Sequence, residues 1–300
     1  MFLALLAAFG TATSWATSSI LSSVAVRHFG AIRFARTRYF FVIIPMLLLT
    51  WWIGDFASMG AQGYLLMAVS GFFGIFLGDT LLFSGVGRLG PRLSHVIFTT
   101  AAPMVELLSW AFLGTEFSAL KLLGILLITM GVMIAILFGK RQGDVTRFEN
   151  LHGPLWLGVA IMLAAAAFQA IGTVIAKPVL DAGADPLTAS TWRVLIALVF
   201  YALLLLAPRA WTRGGDHGPY TTNMTLIAFA SGMAGMAIGM TLFLYALKIG
   251  DPGVVSAVAG ASPLVQLPLL WIITRQAPAL GAWAGSGLAV MGVALISIAI

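Results

Sequence analysis

Apolar runs of roughly twenty residues, broken by short polar stretches, follow one another along almost the whole chain. The hydrocarbon core of a bilayer is ~30 Å thick, and a helix of about 20 residues crosses it. Ten runs are long enough: 2–24, 34–53, 62–87, 93–114 and 118–138, then 154–176, 187–207, 223–247, 254–274 and 279–299. The pattern therefore predicts an all-α integral membrane protein of ten transmembrane helices. Most breaks leave room only for a tight turn between antiparallel neighbours. Two are longer, the segment Gly139–Gly153 and the loop Pro208–Asn223. The first divides the chain into residues 1–138 and 154–300, with 139–153 as a polar linker, and Pro154 suits a first helical position. Met1–Phe9 is apolar without Lys or Arg, so it is expected to begin the first span rather than to form a cleaved signal peptide.

The two parts repeat each other. A single displacement carries Ser70, Gly71, Gly74, Gly78, Thr80 and Leu81 onto Ser231, Gly232, Gly235, Gly239, Thr241 and Leu242, and Pro91 onto Pro252. It also carries Gly124 and Met130-Gly131-Val132 onto Gly285 and Met291-Gly292-Val293. With a small gap Glu106 falls on Gln266, and a slightly smaller displacement carries Arg38 onto Arg193. Leu and Ala coincide easily between apolar helices, whereas an ordered run of Ser, Gly and Thr does not. Each copy holds an odd number of spans, so the second must enter the membrane upside down. Two inverted five-helix repeats are a transporter architecture, with a substrate site near the midplane and alternating access between the copies.

Composition sharpens this picture. Only 9% of the residues are charged, against about 25% in a soluble domain. Mean hydropathy is +1.02, so lipid must cover most of the surface. With no cysteine there is no disulfide and no thiolate metal site. His28, His95, His152 and His217 are scattered without ligand spacing, and no metal is expected. No Walker A loop is visible, so neither ATP-driven pumping nor any other cofactor is expected. The net charge of +6 is spread over short loops, a pattern that sets membrane orientation and does not call for a nucleic-acid partner.

The stretches Gly78–Val132 and Gly239–Val293 resemble the later part of an EamA-type domain, and the Trp15 span, Arg38 and Arg193 fit its earlier part. Over nearly its whole length the chain resembles the drug/metabolite transporter superfamily, as an EamA-type transporter with two EamA domains. The resemblance implies a secondary transporter of a small molecule in a bacterial cytoplasmic membrane, and similar members include exporters of amino acids and other metabolites. Many members carry an aromatic residue after the glycine where this chain has Asp79.

Ionisable groups inside a membrane are costly and are functional candidates by default. Asp79 and Glu106 lie inside predicted spans, and Glu106 is expected near the midplane. Either is a candidate proton-coupling acid. Each can equally be a packing acid, Glu106 paired with Arg193 or a hydroxyl, and Asp79 neutralised by Arg88 or Arg92. Arg193 can bind a substrate carboxylate bidentately or cap a helix end. Arg38, beside Arg33 and Arg36, is expected to snorkel to the interface. Thr11, Ser14, Ser18 and Ser22 share one face of the first span beside Trp15. With Thr80, Gln169, Thr241, Tyr245 and Gln266 they are expected to line a polar cavity, the alternative being hydrogen bonds between helices. Gly74 and Gly78, repeated as Gly235 and Gly239, form small-xxx-small faces expected to pack helices closely.

The function these residues favour is secondary active transport, with export of a small polar metabolite or amino acid by alternating access. Intramembrane enzyme action is the alternative from another class, and it lacks a nucleophile beside the one candidate base, His95. A non-transporting membrane partner or channel subunit is the third. Arginine and lysine crowd the loops after spans 1, 3, 5, 7 and 9, while Lys121, Lys177 and Lys248 face the other side. Positive loops stay cytoplasmic, so both termini are expected outside the cytoplasm. The family resemblance implies the reverse.

Overall fold

The structure, a computed structural model, describes residues 1–116, 118–138, 154–206, 218–274 and 279–299, so the linker expected at 139–153 lies outside the described residues. Among these the chain is helical throughout. The helices are α1 (Phe2–Phe29), α2 (Ala31–Ile53), α3 (Ala61–Gly71), α4 (Gly78–Phe98), α5 (Ala101–Leu113), α6 (Ala119–Phe138), α7 (Leu155–Asp181) and α8 (Pro186–Leu203). They continue as α9 (Thr222–Gly232), α10 (Thr241–Ile249), α11 (Pro252–Gly260), α12 (Ser262–Thr274) and α13 (Leu280–Ala299). Six stretches are long and apolar enough to cross a membrane: Phe2–Val26, Ala61–Val86, Ala119–Phe138, Leu155–Asp181, Pro186–Leu203 and Thr222–Ile249. Ala101–Leu113, Pro252–Val265 and Leu280–Leu295 are apolar but shorter.

The polarity of the molecule runs inside out. Trp51, Trp52, Leu48, Phe112, Leu206 and Val290 are exposed, while Arg193, Glu106, Ser70, Ser231 and Thr173 are buried. Water would not tolerate so much continuous apolar surface, and lipid accommodates it.

Two of the predicted span boundaries differ. The break expected between residues 87 and 93 is helical, because α4 runs on to Phe98. At the matching point of the second half Asp251 accepts hydrogen bonds from the Gly253 and Val254 amides and starts α11 afresh. The first half has Gly90 there, which has no side chain to cap a new helix. Conversely, the fourth and ninth spans, expected to be continuous, bend at Thr99–Thr100 and at Ala261.

The halves interlock. α3 and α4 pack on α7 and α8 of the second half, and α9 packs on α1 and α2 of the first. α6 and α13 cross with backbones touching. A methyl group on Gly131 would lie 2.5 Å from the Gly285 oxygen, and one on Gly292 would lie 2.6 Å from the Gly124 oxygen. Late residues of one helix thus meet early residues of the other, so the pair is antiparallel. Gly124 and Gly285 are repeat partners, as are Gly131 and Gly292, so the contact is its own mirror under exchange of the halves.

Candidate functional site

Two stretches depart from α-helical geometry in the same place of each half. Phe72–Leu77, between α3 and α4, and Met233–Met240, between α9 and α10, are π-helical. Such turns break the regular hydrogen-bond ladder and recur at functional sites. They hold Gly74, Gly235 and Gly239, and Gly78 follows the first.

Each π turn receives an arginine from the other half. Arg38 of α2 lies against Gly235, where an added methyl would come 2.2 Å from its Nη2. Arg193 of α8 lies against Gly74, at 2.9 Å by the same measure. Both are buried. Arg38 does not snorkel, because the packing of α9 on α2 covers it. It donates from Nη2 to Ser18 Oγ at 3.2 Å, and Ser18 in turn donates to the Ser231 carbonyl at 2.9 Å. Ser22 and Ser231 share a hydrogen bond of 2.7 Å. The corresponding contact of the other half is Ser70 Oγ donating to the Gly172 carbonyl at 2.5 Å. Among the described residues Arg193 reaches a sulfur, Met240 Sδ at 3.3 Å from Nη1, and its Nε and Nη2 have no hydrogen-bond partner.

Asp79 opens α4 directly after the first π turn and accepts a hydrogen bond from the Tyr39 hydroxyl. Tyr39 stacks on Tyr201 with ring centroids 5.3 Å apart and planes 18° apart, and Tyr201 shares a 2.9 Å hydrogen bond with Thr80. Arg38 and Arg193 are both close enough to act on the Asp79 charge. The cluster thus holds two guanidiniums, one carboxylate and two phenols where the halves meet.

The other candidates divide. Trp15 donates from its indole nitrogen to the Gly235 carbonyl at 3.1 Å, and Gly239 packs on that indole. Gln169 is partly buried beside Gly74 and Gly78, and Ser14 is partly buried in α1. Thr11 bonds back to Ala7 within its own helix. Ser18 and Ser22 join helices rather than face a cavity. Thr241, the repeat partner of Thr80, has a buried hydroxyl without a partner among the described residues. Tyr245 is 42% exposed and points away from the bundle interior, because α10 turns that face outward. The side chain of Gln266 lies outside the described residues. A methyl on Gly78 would meet neighbours at 3.4 Å or more, so that glycine is not a site of close packing.

Glu106 does not join this cluster, and it pairs with Lys121 rather than with Arg193. It is buried against Lys121, with 2.8 Å between Nζ and Oε1, and the same Nζ lies 2.8 Å from Asp251 Oδ2. Lys121 stands in the first turn of α6 and Asp251 in the turn before α11, so the triad lies at one end of the bundle and ties the two halves together. Sequence patterning missed Lys121, Asp251, Tyr39 and Tyr201. A lysine in the first turn of an apolar run is a visible signal, whereas the tyrosines gain meaning only from the stacking.

At the opposite end, the α1–α2 corner grips the segment before α9. Arg33 stacks over the Tyr220 ring at 3.9 Å and donates to the Gly218 carbonyl at 3.0 Å. Among the described residues there is no metal-binding group of three or more His, Cys, Asp or Glu.

A helical membrane protein of two interlocked, repeated halves with a buried charged cluster between them belongs to the class of membrane transporters. The model of the EamA-like transporter family matches residues 2–137 and 156–298. The chain belongs to that family of transporters. No curated protein matches the chain. A crystal structure described only as that of a protein superposes with a TM-score of 0.79 at 16% identity, covering 99% of this chain and 96% of that one. At that identity the likeness shows the fold alone.

Proposed function

We propose that this protein is a secondary active transporter that exports a small polar metabolite by alternating access. Its ten spans form two inverted halves, residues 1–138 and 154–300, joined by a linker at 139–153. The observation that carries this reading is the buried cluster of Arg38, Arg193, Asp79, Tyr39 and Tyr201 at the paired π turns. Burying two cations and an acid is costly and serves no fold that apolar residues could not serve as well. The same cluster sits where each half inserts its arginine into the other, so rocking the halves changes the site.

Of the two candidate coupling acids, Asp79 lies in the cluster and Glu106 is engaged by Lys121. Asp79 is therefore the proton-coupling acid of this proposal, and the membrane is a bacterial cytoplasmic one. The test is flux in proteoliposomes of the purified full chain. Wild type accumulates a labelled metabolite against its gradient when a pH gradient is imposed, and Asp79→Asn exchanges it without accumulation. Absence of flux for every solute tried, with chemical turnover in detergent, would establish the enzyme instead. Equal accumulation by Asp79→Asn would remove the coupling role.

A further inference from the structure

The two pseudo-symmetric arginines are not equally free to bind. A guanidinium presents Nε and Nη2 along one edge, and that edge matches the two oxygens of a carboxylate. In Arg38 half of the edge is taken, because Nη2 donates to Ser18. In Arg193 both nitrogens of the edge are buried and without a partner among the described residues. The cause is the residue that faces each π turn from the opposing helix. Ser18 faces Gly235, whereas Gly172 faces Gly74, the repeat partner of Gly235. A side chain at Gly172 has no room, since a methyl there would come 2.6 Å from the Gly74 Cα. Close approach of α7 to the first π turn thus denies Arg193 the hydroxyl that Arg38 has.

Charge points the same way. The cluster holds two guanidiniums against the one carboxylate of Asp79, which leaves a buried positive charge that a monoanion would balance. The flank is apolar, with the buried Met240 on Arg193. We propose that the free edge of Arg193, between the two π turns, is the anion-recognition element of the transport site, and that its ligand is a small organic monocarboxylate. Arg38 is then the positioning arginine, fixed by Ser18 and Ser231. This rests on the transporter reading above and adds to it the charge class of the substrate.

The test uses the purified full chain in detergent at constant ionic strength. The probes are 4-methylpentanoate, benzoate and L-leucine, each against its amide, with sodium chloride as the inorganic anion. At least one carboxylate is expected to raise the thermal midpoint, and its amide and chloride are not. Arg193→Met is expected to unfold at a higher temperature than wild type without probe, since it replaces an unpaired buried cation by an apolar chain of similar length. It is expected to lose the carboxylate response. Arg193→Lys keeps the charge without the fork and is expected to need about tenfold more carboxylate. Lys177→Gln, which removes a charge paired with Asp181 at the end of α7, responds as wild type.

The proposal is overturned by an equal response to the amides or chloride, by no response to any carboxylate, or by a carboxylate response that survives Arg193→Met. An Arg193→Met protein less stable than wild type would make the arginine a structural cation and overturn it too. Counterflow of labelled L-leucine and of labelled L-leucinamide in proteoliposomes separates the two layers. Exchange of the amide, unaffected by Arg193→Met, would keep the transporter and discard the carboxylate. Carboxylate-specific stabilisation with no exchange of either solute would do the reverse.

Discussion

Removing the Tyr39 hydroxyl takes a donor from Asp79. A partly buried acceptor left without its donor costs about 1–3 kcal/mol. Tyr39→Phe is therefore expected to lower the thermal midpoint, and Tyr39→Phe with Asp79→Asn to recover most of the loss, as a double-mutant cycle in detergent would record. Tyr220 lies in the segment before α9. Burial pushes its phenol up, but hydrogen bonds from Thr37, Arg33 and Arg36 outweigh it and bring the pKa to about 8. The folded value lies below the unfolded one of about 10. Stability from these bonds is then full above about pH 10 and is lost as the pH falls through about 8. Tyrosinate absorbance is expected to show one phenol titrating early, absent in Tyr220→Phe and moved upward in Arg33→Gln.

Glycines with similar spacing do different things in the helices. Gly172 meets the Gly74 backbone head on, and Gly78 has only ordinary contacts. Overpacking a close contact costs about 1–3 kcal/mol. Gly172→Ala is expected to lose stability in that range, while Gly78→Ala stays near wild type in the same thermal unfolding measurement. Equal losses would mean that both positions are equally tight. The repeat had marked Gly74, Gly78, Gly235 and Gly239 as equivalent. Spacing along one helix cannot reveal which glycine the neighbouring backbone reaches, and it cannot reveal that the helix opens into a π turn between them.

Across the whole molecule, Lys121 bridges Glu106 of the first half and Asp251 of the second. Breaking a buried ion pair from one side costs about 3–5 kcal/mol. Lys121→Met leaves two acids without their cation and is expected to be strongly destabilised, with Glu106→Gln restoring part of the loss. If Lys121→Met unfolds like wild type, the triad does not hold the halves together. The loop charges predict both termini outside the cytoplasm, the reverse of what the family resemblance implies. A reporter active only in the cytoplasm, fused after Ile300, is expected to stay silent. A strong signal there would reverse the orientation.

The apolar runs and the Ser-Gly-Thr repeat by themselves determined the membrane class and the repetition of the two parts, because lipid solvation and helix length constrain composition residue by residue, while the family was legible only as a resemblance carried by Gly78–Val132 and Gly239–Val293. They also exposed Asp79 and Arg193 as costly groups and hence as candidates. Only the tertiary structure decided the partners. Arg38 is buried because α9 covers it, Glu106 belongs to Lys121 and not to the central cluster, and Tyr245 turns outward. A hydrogen bond or ion pair between residues far apart in the chain depends on how the halves cross. That crossing is set by backbone contacts such as Gly131 on Gly285 and Gly172 on Gly74, and no periodicity within a single helix records it.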